Sequence, residues 1–102
     1  MADGSFEQAA QLFMRSVVAS PHFKTYELLG ECYLRLKRLT EAIPFLAAAT
    51  ALNRGVRAPS LLAEVWLELG CHKEAAEAAE IALSRDAQNK VALRVRERAL
   101  SP

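Results

Sequence analysis

The stretch "YELLGECYLRLKRLTEAIPFLAAA", residues 26–49, has a glycine among apolar residues, an aromatic residue three positions later, a basic break and a second apolar run. The same order recurs in outline in "LLAEVWLELGCHKEAAEAAEIA", residues 61–82. The Glu-Ala pair at 41–42 returns at 74–75, and Gln-Ala stands at 8–9, so three registers share a period of 33 residues. Internal repetition at this length is typical of proteins built from stacked helical units.

The apolar residues inside each unit have helical spacing. Tyr26, Leu29, Gly30 and Tyr33 follow the i, i+3, i+4, i+7 rule, and the run after residue 39 does the same. Each unit is therefore predicted to be two helices joined by a short turn. We expect about six helices, at residues 5–20, 23–36, 40–53, 59–70 and 72–85, with a last helix capped by Asn89.

Small residues in these patterns predict where helices approach closely. Gly30 and Ala63 occupy the same position in two successive units, and a missing side chain there leaves room for the ridge of a neighbouring helix. The large residues would fill the remaining gaps in the core. Trp66 is therefore expected to be largely buried between the fourth and fifth helices.

The repeated pattern resembles the tetratricopeptide repeat. The residues that match the family motif are Tyr26, Leu29, Gly30, Tyr33, Ala42 and Ala49 in one unit, and Leu62, Ala63, Trp66, Ala75 and Ala82 in the next. The resemblance implies an all-α fold, a right-handed superhelical solenoid of antiparallel helix pairs. It divides one domain, residues 1–102, into a half repeat with a second helix only (5–22), two repeats (23–55 and 56–88) and a C-terminal capping helix (89–101).

Composition excludes several classes of function. The chain has 102 residues, a formal net charge of +1 and 52% hydrophobic residues. This balance is unlike that of a protein that holds nucleic acid by bulk charge, and no apolar stretch reaches the roughly 18 residues that span a bilayer. The two cysteines do not form a disulfide framework, which favours reduced thiols and a cytoplasmic location. Of the two, Cys71, in a turn, is expected to be the more exposed.

Catalytic and metal-binding motifs are absent from the sequence. His22 and His72 fall in predicted turns without a cysteine, serine or carboxylate at motif spacing, so both are interpreted as surface histidines. The sequence has no Gly-rich phosphate loop and no paired-cysteine metal motif. We therefore predict a non-enzyme without cofactor, metal or catalytic residues.

The resemblance implies that the first helix of each unit lines a concave groove where a partner peptide or helix docks. The predicted groove residues are the first-helix positions outside the apolar stripe: Lys24, Glu27, Glu31, Leu34, Arg35, Arg57, Ser60, Glu64, Leu67, Glu68, Arg94 and Arg98. Leu34 and Leu67, taken as exposed, would supply apolar contact, and the glutamates would select a basic segment. Some family members clamp acidic chaperone tails with basic residues and asparagine; Glu27, Glu31 and Leu61 occupy the matching places, so that activity is not expected.

Three alternatives stay open at this point. The charged residues of the first helices are equally consistent with a solvated surface. The chain is also consistent with a homo-oligomeric assembly module that self-associates through its N-terminal helix, with the stripe Phe6, Ala9, Ala10, Phe13 and Val17 partly exposed. A pentatricopeptide-like RNA binder is the third alternative, but two full units and a near-neutral charge disfavour it.

Overall fold

A computed structural model describes residues 2–101 of the chain, with side chains from residue 5 onward. Within these residues the chain forms six α-helices and no strand. The helices are α1 (Ala2–Ala19), α2 (Phe23–Arg35), α3 (Leu39–Leu52), α4 (Arg57–Glu68), α5 (His72–Arg85) and α6 (Lys90–Leu100). The six helices predicted from the sequence are therefore confirmed, and their ends agree closely. The largest differences are at α1, whose predicted start was Ser5, and at α4, whose predicted start was Pro59.

The turn after α2 shows why the helix ends where it does. Lys37 has a positive φ of 62°. The N–H of Arg38 donates to the Tyr33 carbonyl at 2.9 Å, and the N–H of Lys37 donates to the Leu34 carbonyl at 3.0 Å. These two bonds define a Schellman motif, which satisfies the last carbonyls of a helix and reverses the chain.

The turn after α4 repeats this geometry one period later. Gly70 has a φ of 78°, at the position equivalent to Lys37. The N–H of Cys71 donates to the Trp66 carbonyl at 2.9 Å, and the N–H of Gly70 donates to the Leu67 carbonyl at 3.0 Å. The 33-residue period of the sequence is therefore also a period of the backbone.

The chain divides into two compact units, Met1–Asn53 and Arg54–Pro102. In the first unit α2 packs against both α1 and α3; in the second unit α4 packs against α5 and α6, and α5 against α6. The division into a half repeat, the repeats 23–55 and 56–88 and a capping helix stays a prediction.

Gly30 brings α2 and α3 together in the first unit. A methyl group in place of its hydrogen would lie 2.5 Å from Cγ and from Cδ2 of Leu46. Leu46 is completely buried, and so is Leu29 one residue before the glycine. The prediction that this glycine permits close helix approach is confirmed. Beside it, the rings of Tyr33 and Phe45 stack with centroids 5.7 Å apart.

The core of the second unit is built largely from small residues. The fully buried positions are Pro59, Ala63, Val65, Ala75, Ala79, Ala82, Ala92 and Val95. Trp66 is partly exposed at its surface, more so than its counterpart in the first unit. Its counterpart Tyr33 is buried, with Phe45 stacked on it. The position equivalent to Phe45 is Ala78, which cannot cover the indole in the same way.

Side-chain caps fix two of the helix starts. The Asn89 carboxamide accepts a hydrogen bond from the N–H of Ala92 at 2.8 Å, which confirms the predicted cap of α6. At α2 the cap is His22, whose Nδ1 accepts from the N–H of Lys24 at 3.1 Å. This histidine, which the sequence placed in a turn, therefore has a structural role at an exposed helix end.

Candidate functional site

A cleft between α4 and α6 is the place where the second unit brings the predicted groove residues together. We name it the α4–α6 cleft. It has a volume of about 180 Å³, and it is lined by Glu64, Leu67, Glu68, Arg94, Val95 and Arg98. Five of these six residues were predicted from the sequence. Val95 was missed because it belongs to the apolar stripe of its helix.

Helical spacing explains how these side chains converge. Glu64, Leu67 and Glu68 lie three and four residues apart and therefore share one face of α4, while Arg94 and Arg98 share one face of α6. The two helices pack against each other, so these faces meet along one edge. The result is a surface with carboxylates on one wall and guanidinium groups on the other.

The floor of the α4–α6 cleft is apolar and its rim is charged. Val95 is completely buried and Leu67 is partly buried, whereas Arg94 and Arg98 are exposed. No salt bridge to Glu64, Arg94 or Arg98 is found among the side chains of residues 5–101. An apolar floor with charges of both signs at its rim is suited to binding a protein segment.

Ser60 and Arg57 precede the cleft on α4. The Ser60 hydroxyl donates to the Arg57 carbonyl at 2.8 Å, and the serine is buried. Ser60 is therefore not available to a partner, contrary to the prediction. Its hydroxyl satisfies a backbone group in the first turn of the helix instead. Arg57 is exposed at the start of α4.

In the first unit, the α2 residues predicted for the groove divide into accessible and buried groups. Lys24 and Arg35 are exposed, and Glu31 is partly buried. Arg35 forms a salt bridge with Glu31 at 3.4 Å. Lys24 forms one with Glu27 at 3.2 Å, and the Glu27 side chain is only 7% exposed. This glutamate is therefore a buried, paired group and not an open docking residue.

Leu34 was predicted to be an exposed leucine of the groove, and this prediction is wrong. The residue is 2% exposed. The prediction assumed one buried stripe along α2, but this helix packs against both α1 and α3. A helix with neighbours on two sides buries a wider part of its surface than the stripe of an amphipathic surface helix.

A second cleft, between α1 and α2, was not anticipated from the sequence. It has a volume of about 320 Å³ and is lined by Glu7, Ala10, Gln11, Met14, Arg15, Tyr33 and Arg38. The Arg38 guanidinium donates to both oxygens of Glu41, at 2.8 and 2.7 Å, and to Glu7 at 3.2 Å. It also lies over the Tyr33 ring, 4.8 Å from the centroid.

The electrostatics of this arginine indicate a structural role. The hydrogen bond to Glu41 raises the pKa of Arg38 above its usual range and lowers the pKa of Glu41. The Arg38 guanidinium group already contacts both carboxylates and the Tyr33 ring. Arg38 therefore links α1 to the turn after α2. Glu7 and Arg38 are 31 residues apart in the chain, so no local sequence pattern predicts their contact.

The apolar stripe of α1 is more covered than the sequence suggested. Ala10 is 2% exposed, so its predicted place in a self-association surface is wrong; it packs into the unit instead. Phe6, Phe13 and Val17 are partly buried. The large apolar residues of α1 that are exposed are Leu12 and Val18, which lie off that stripe.

The two cysteines differ in how far they are exposed. Cys32 is buried, and burial, with a smaller contribution from nearby Glu31, raises the pKa of its thiol. Cys71 is partly exposed, as expected. Among the described side chains no three His, Cys, Asp or Glu residues gather in a group that could hold a metal ion. None of the helices in the described part of the chain has the length and apolar character to cross a membrane.

Comparison with known proteins identifies the family. The family model of the tetratricopeptide repeat matches residues 1–56. The match covers more than half of the chain, and the chain therefore belongs to the tetratricopeptide repeat family. No curated protein sequence matches it.

Two solved structures show the same fold at low sequence identity. The Arabidopsis OM64 TPR domain has a TM-score of 0.89 and 21% identity, over 95% of this chain and 82% of that one. PcrH, in complex with the chaperone binding region of PopD, has a TM-score of 0.79 and 20% identity, over 94% of this chain and 74% of that one. The predicted fold class, an all-α tetratricopeptide solenoid, is confirmed. Family and fold together support a protein-interaction module.

Proposed function

We propose that this protein is a non-catalytic interaction module that docks a segment of a partner protein against the first helices of its repeats. The α4–α6 cleft is the observation that carries the proposal. It gathers five residues selected from the sequence as groove residues, and it combines an apolar floor with a charged rim. The likeness to PcrH, whose structure holds a region of another protein, supports the same reading.

The chemistry of the cleft defines the partner segment. One apolar side chain would sit on Leu67, the partly exposed apolar residue of the cleft, where desolvated apolar contact contributes most of the affinity. A lysine or arginine of the partner would face Glu64, whose carboxylate is partly buried. An acidic side chain would face Arg94 and Arg98, because opposite charges select orientation and register.

In the first unit, the exposed part of α2 is proposed as a separate, weaker contact surface. Lys24, Glu31 and Arg35 are its accessible charged residues. Two of them already pair with each other, so their contribution to binding is expected to be smaller than that of the α4–α6 cleft. The partner therefore gains most of its specificity from the second unit.

A peptide-display selection on the folded chain tests this function. We expect enriched peptides to carry an apolar residue with a basic residue nearby. Their binding should weaken roughly tenfold or more with Leu67→Asp, and less with Glu64→Lys. Glu77→Lys is the matched control, because Glu77 is exposed on α5 and does not line the cleft.

The outcomes are distinct. Equal binding to the wild-type chain and the Glu77→Lys variant, with loss in the two cleft variants, supports the proposal. Unchanged binding in both cleft variants, or equal loss in the control, would move the docking surface away from α4 and α6. Raised salt should weaken binding of the charged peptides as well, because the rim charges are exposed and screened.

A further inference from the structure

By the 33-residue period, α2, α4 and α6 are all equivalent to the first helix of a repeat. At one of the equivalent positions, α6 has a very different residue from α2 and α4. Gly30 on α2, Ala63 on α4 and Arg96 on α6 are equivalent positions, 33 residues apart. Gly30 and Ala63 are buried. The Arg96 side chain is 41% exposed. A small residue has thus been replaced by one of the largest.

The first unit shows what this position does. A Cβ at Gly30 would lie 2.5 Å from two side-chain carbons of Leu46 on α3. The position is therefore the point where the second helix of a repeat is seated on the first. In the second unit the equivalents of Gly30 and Leu46 are Ala63 and Ala79, so both residues at this contact are small. An arginine at this position is incompatible with a second helix seated in the same way.

Arg96 also lines the surface that such a helix would cover. A cleft of about 530 Å³ lies between α5 and α6, lined by Glu80, Leu83, Ser84, Ala87, Leu93 and Arg96. Leu83, Ala87 and Leu93 make it partly apolar. The Arg96 guanidinium pairs with Glu80 on α5 at 3.4 Å, which holds the side chain at this cleft.

A helix that matches the α5–α6 cleft exists in every copy of the chain. The residues of α1 have the register of a second helix, and Phe13 stands at the position equivalent to Leu46. α1 packs against α2 of its own chain, and Phe13 stays partly exposed. With α6 as a first helix and α1 as a second helix, two copies contain the two halves of one repeat.

We propose that the α5–α6 cleft is a head-to-tail docking surface for α1 of a second copy, and that Arg96, paired with Glu80, keeps it closed. A contact between two different surfaces of the same chain does not saturate at a dimer, and it continues into rings or filaments. Arg96 thus prevents copies of the chain from associating head to tail through α6 and α1.

Replacing this arginine tests the proposal. Arg96→Gly and Arg96→Ala restore the small residues of the equivalent positions, and Ala keeps a strong helix former. Lys90→Ala is the control, since it removes a positive charge from the same helix but lines neither the α4–α6 cleft nor the α5–α6 cleft. Sedimentation velocity over a concentration series gives the mass, and circular dichroism confirms that each variant is folded.

We expect the wild-type chain and the Lys90→Ala variant to keep the monomer mass. The mass of the Arg96 variants should rise with concentration to about twice that of the monomer or more. A folded Arg96→Ala variant that stays monomeric at the highest concentration would overturn the proposal. Equal association of the Lys90→Ala variant, or of the wild-type chain, would also overturn it.

Mixing two variants identifies the surfaces in contact. Phe13→Asp in the Arg96→Ala background should abolish self-association, because it removes the apolar side chain that α1 would seat. This double variant still has an open α6 surface, while the wild-type chain has an intact α1. Neither associates alone, so together they should form a discrete one-to-one complex. Self-association that persists with Phe13→Asp would place the contact elsewhere and overturn the head-to-tail arrangement.

Discussion

The contact between Gly30 and Leu46 yields the most quantitative prediction of the fold. An alanine Cβ at residue 30 would lie 2.5 Å from Cγ and Cδ2 of Leu46. Normal carbon contacts are near 3.5 Å, so one side chain or helix must move by about 1 Å. Leu46 is completely buried, so a movement of its side chain would disturb the packing around it. The strain must therefore spread into the packing of α2 against α3.

The expected free-energy changes of Gly30→Ala follow from two opposing terms. Overpacking a buried site costs about 1–3 kcal/mol. Alanine in place of glycine inside a helix returns about 1 kcal/mol. The net loss in the free energy of unfolding is therefore about 0–2 kcal/mol. Leu46→Ala alone removes a buried side chain and should cost about 2–5 kcal/mol.

The double variant separates strain from simple loss of contacts. Gly30→Ala/Leu46→Ala copies the alanine pair found at the equivalent positions 63 and 79. The new methyl group then occupies space that Leu46 has left, and the helix-propensity gain is retained. The double variant should be no less stable than Leu46→Ala, with a coupling energy of about 1–3 kcal/mol.

Equilibrium denaturation followed by far-ultraviolet circular dichroism measures the free energy of unfolding of the wild-type chain, the two single variants and the double variant. Ala63→Gly is the control in the second unit, and it should cost only the helix-propensity difference, about 1 kcal/mol. Additive effects of Gly30→Ala and Leu46→Ala, within about 0.5 kcal/mol, would show that the two residues do not constrain each other. That result would refute the account of how α2 and α3 pack.

Three further predictions concern the turn after α2 and the thiols. Lys37→Gly should raise the free energy of unfolding by about 1 kcal/mol in the same denaturation assay, because the residue has a φ of 62° that a side chain disfavours; a loss of stability would contradict this origin of the turn. The hydrogen bond from Arg38 lowers the pKa of Glu41 in the folded state, so its contribution is present above the unfolded pKa of glutamate and is lost as the pH falls through the folded value. Between neutral and acid pH, the Glu41→Gln variant should therefore lose less stability than the wild-type chain. If both proteins lost the same stability over this range, the interaction between Arg38 and Glu41 would not stabilise the fold. With a thiol reagent on the folded chain, Cys71 should react quickly and Cys32 slowly, since Cys32 is buried and its pKa is raised; equal rates for the two thiols would show that α2 opens readily.

Local features of the sequence were enough to predict the helices of this fold. Helix ends follow from short-range signals, such as the cap at Asn89, and the 33-residue period relates one turn to the next. Gly30 was recognised because a glycine inside an apolar helical stripe has few explanations other than close packing. These inferences depend on short-range patterns and on their repetition along the chain.

The errors arose where exposure depends on neighbouring helices. Leu34 lies outside the stripe defined by helical spacing, yet a helix packed on two sides buries it. Ala10 has the spacing of the apolar stripe of α1 that was expected to be partly exposed, yet it is buried within the first unit. The contact between Glu7 and Arg38 joins residues far apart in the chain, and a charge pattern does not encode such pairs.

The same reasoning explains which of the predicted groove residues lie together in one cleft. Glu64, Leu67 and Glu68 share a face by spacing alone, and the opposite wall, Arg94 and Arg98, has the same spacing. Only the packing of α4 against α6 could show that the two faces form one cleft.

Amide nitrogen–proton correlation spectra of the labelled chain, titrated with a peptide enriched by display, test the docking proposal most directly. The account predicts that the largest shift changes fall on the lining residues of the α4–α6 cleft, with smaller changes on the exposed part of α2. They should disappear in the Leu67→Asp variant and persist in Glu77→Lys. Changes confined to α3 and to the outer face of α5, or unaltered by Leu67→Asp, would contradict the account.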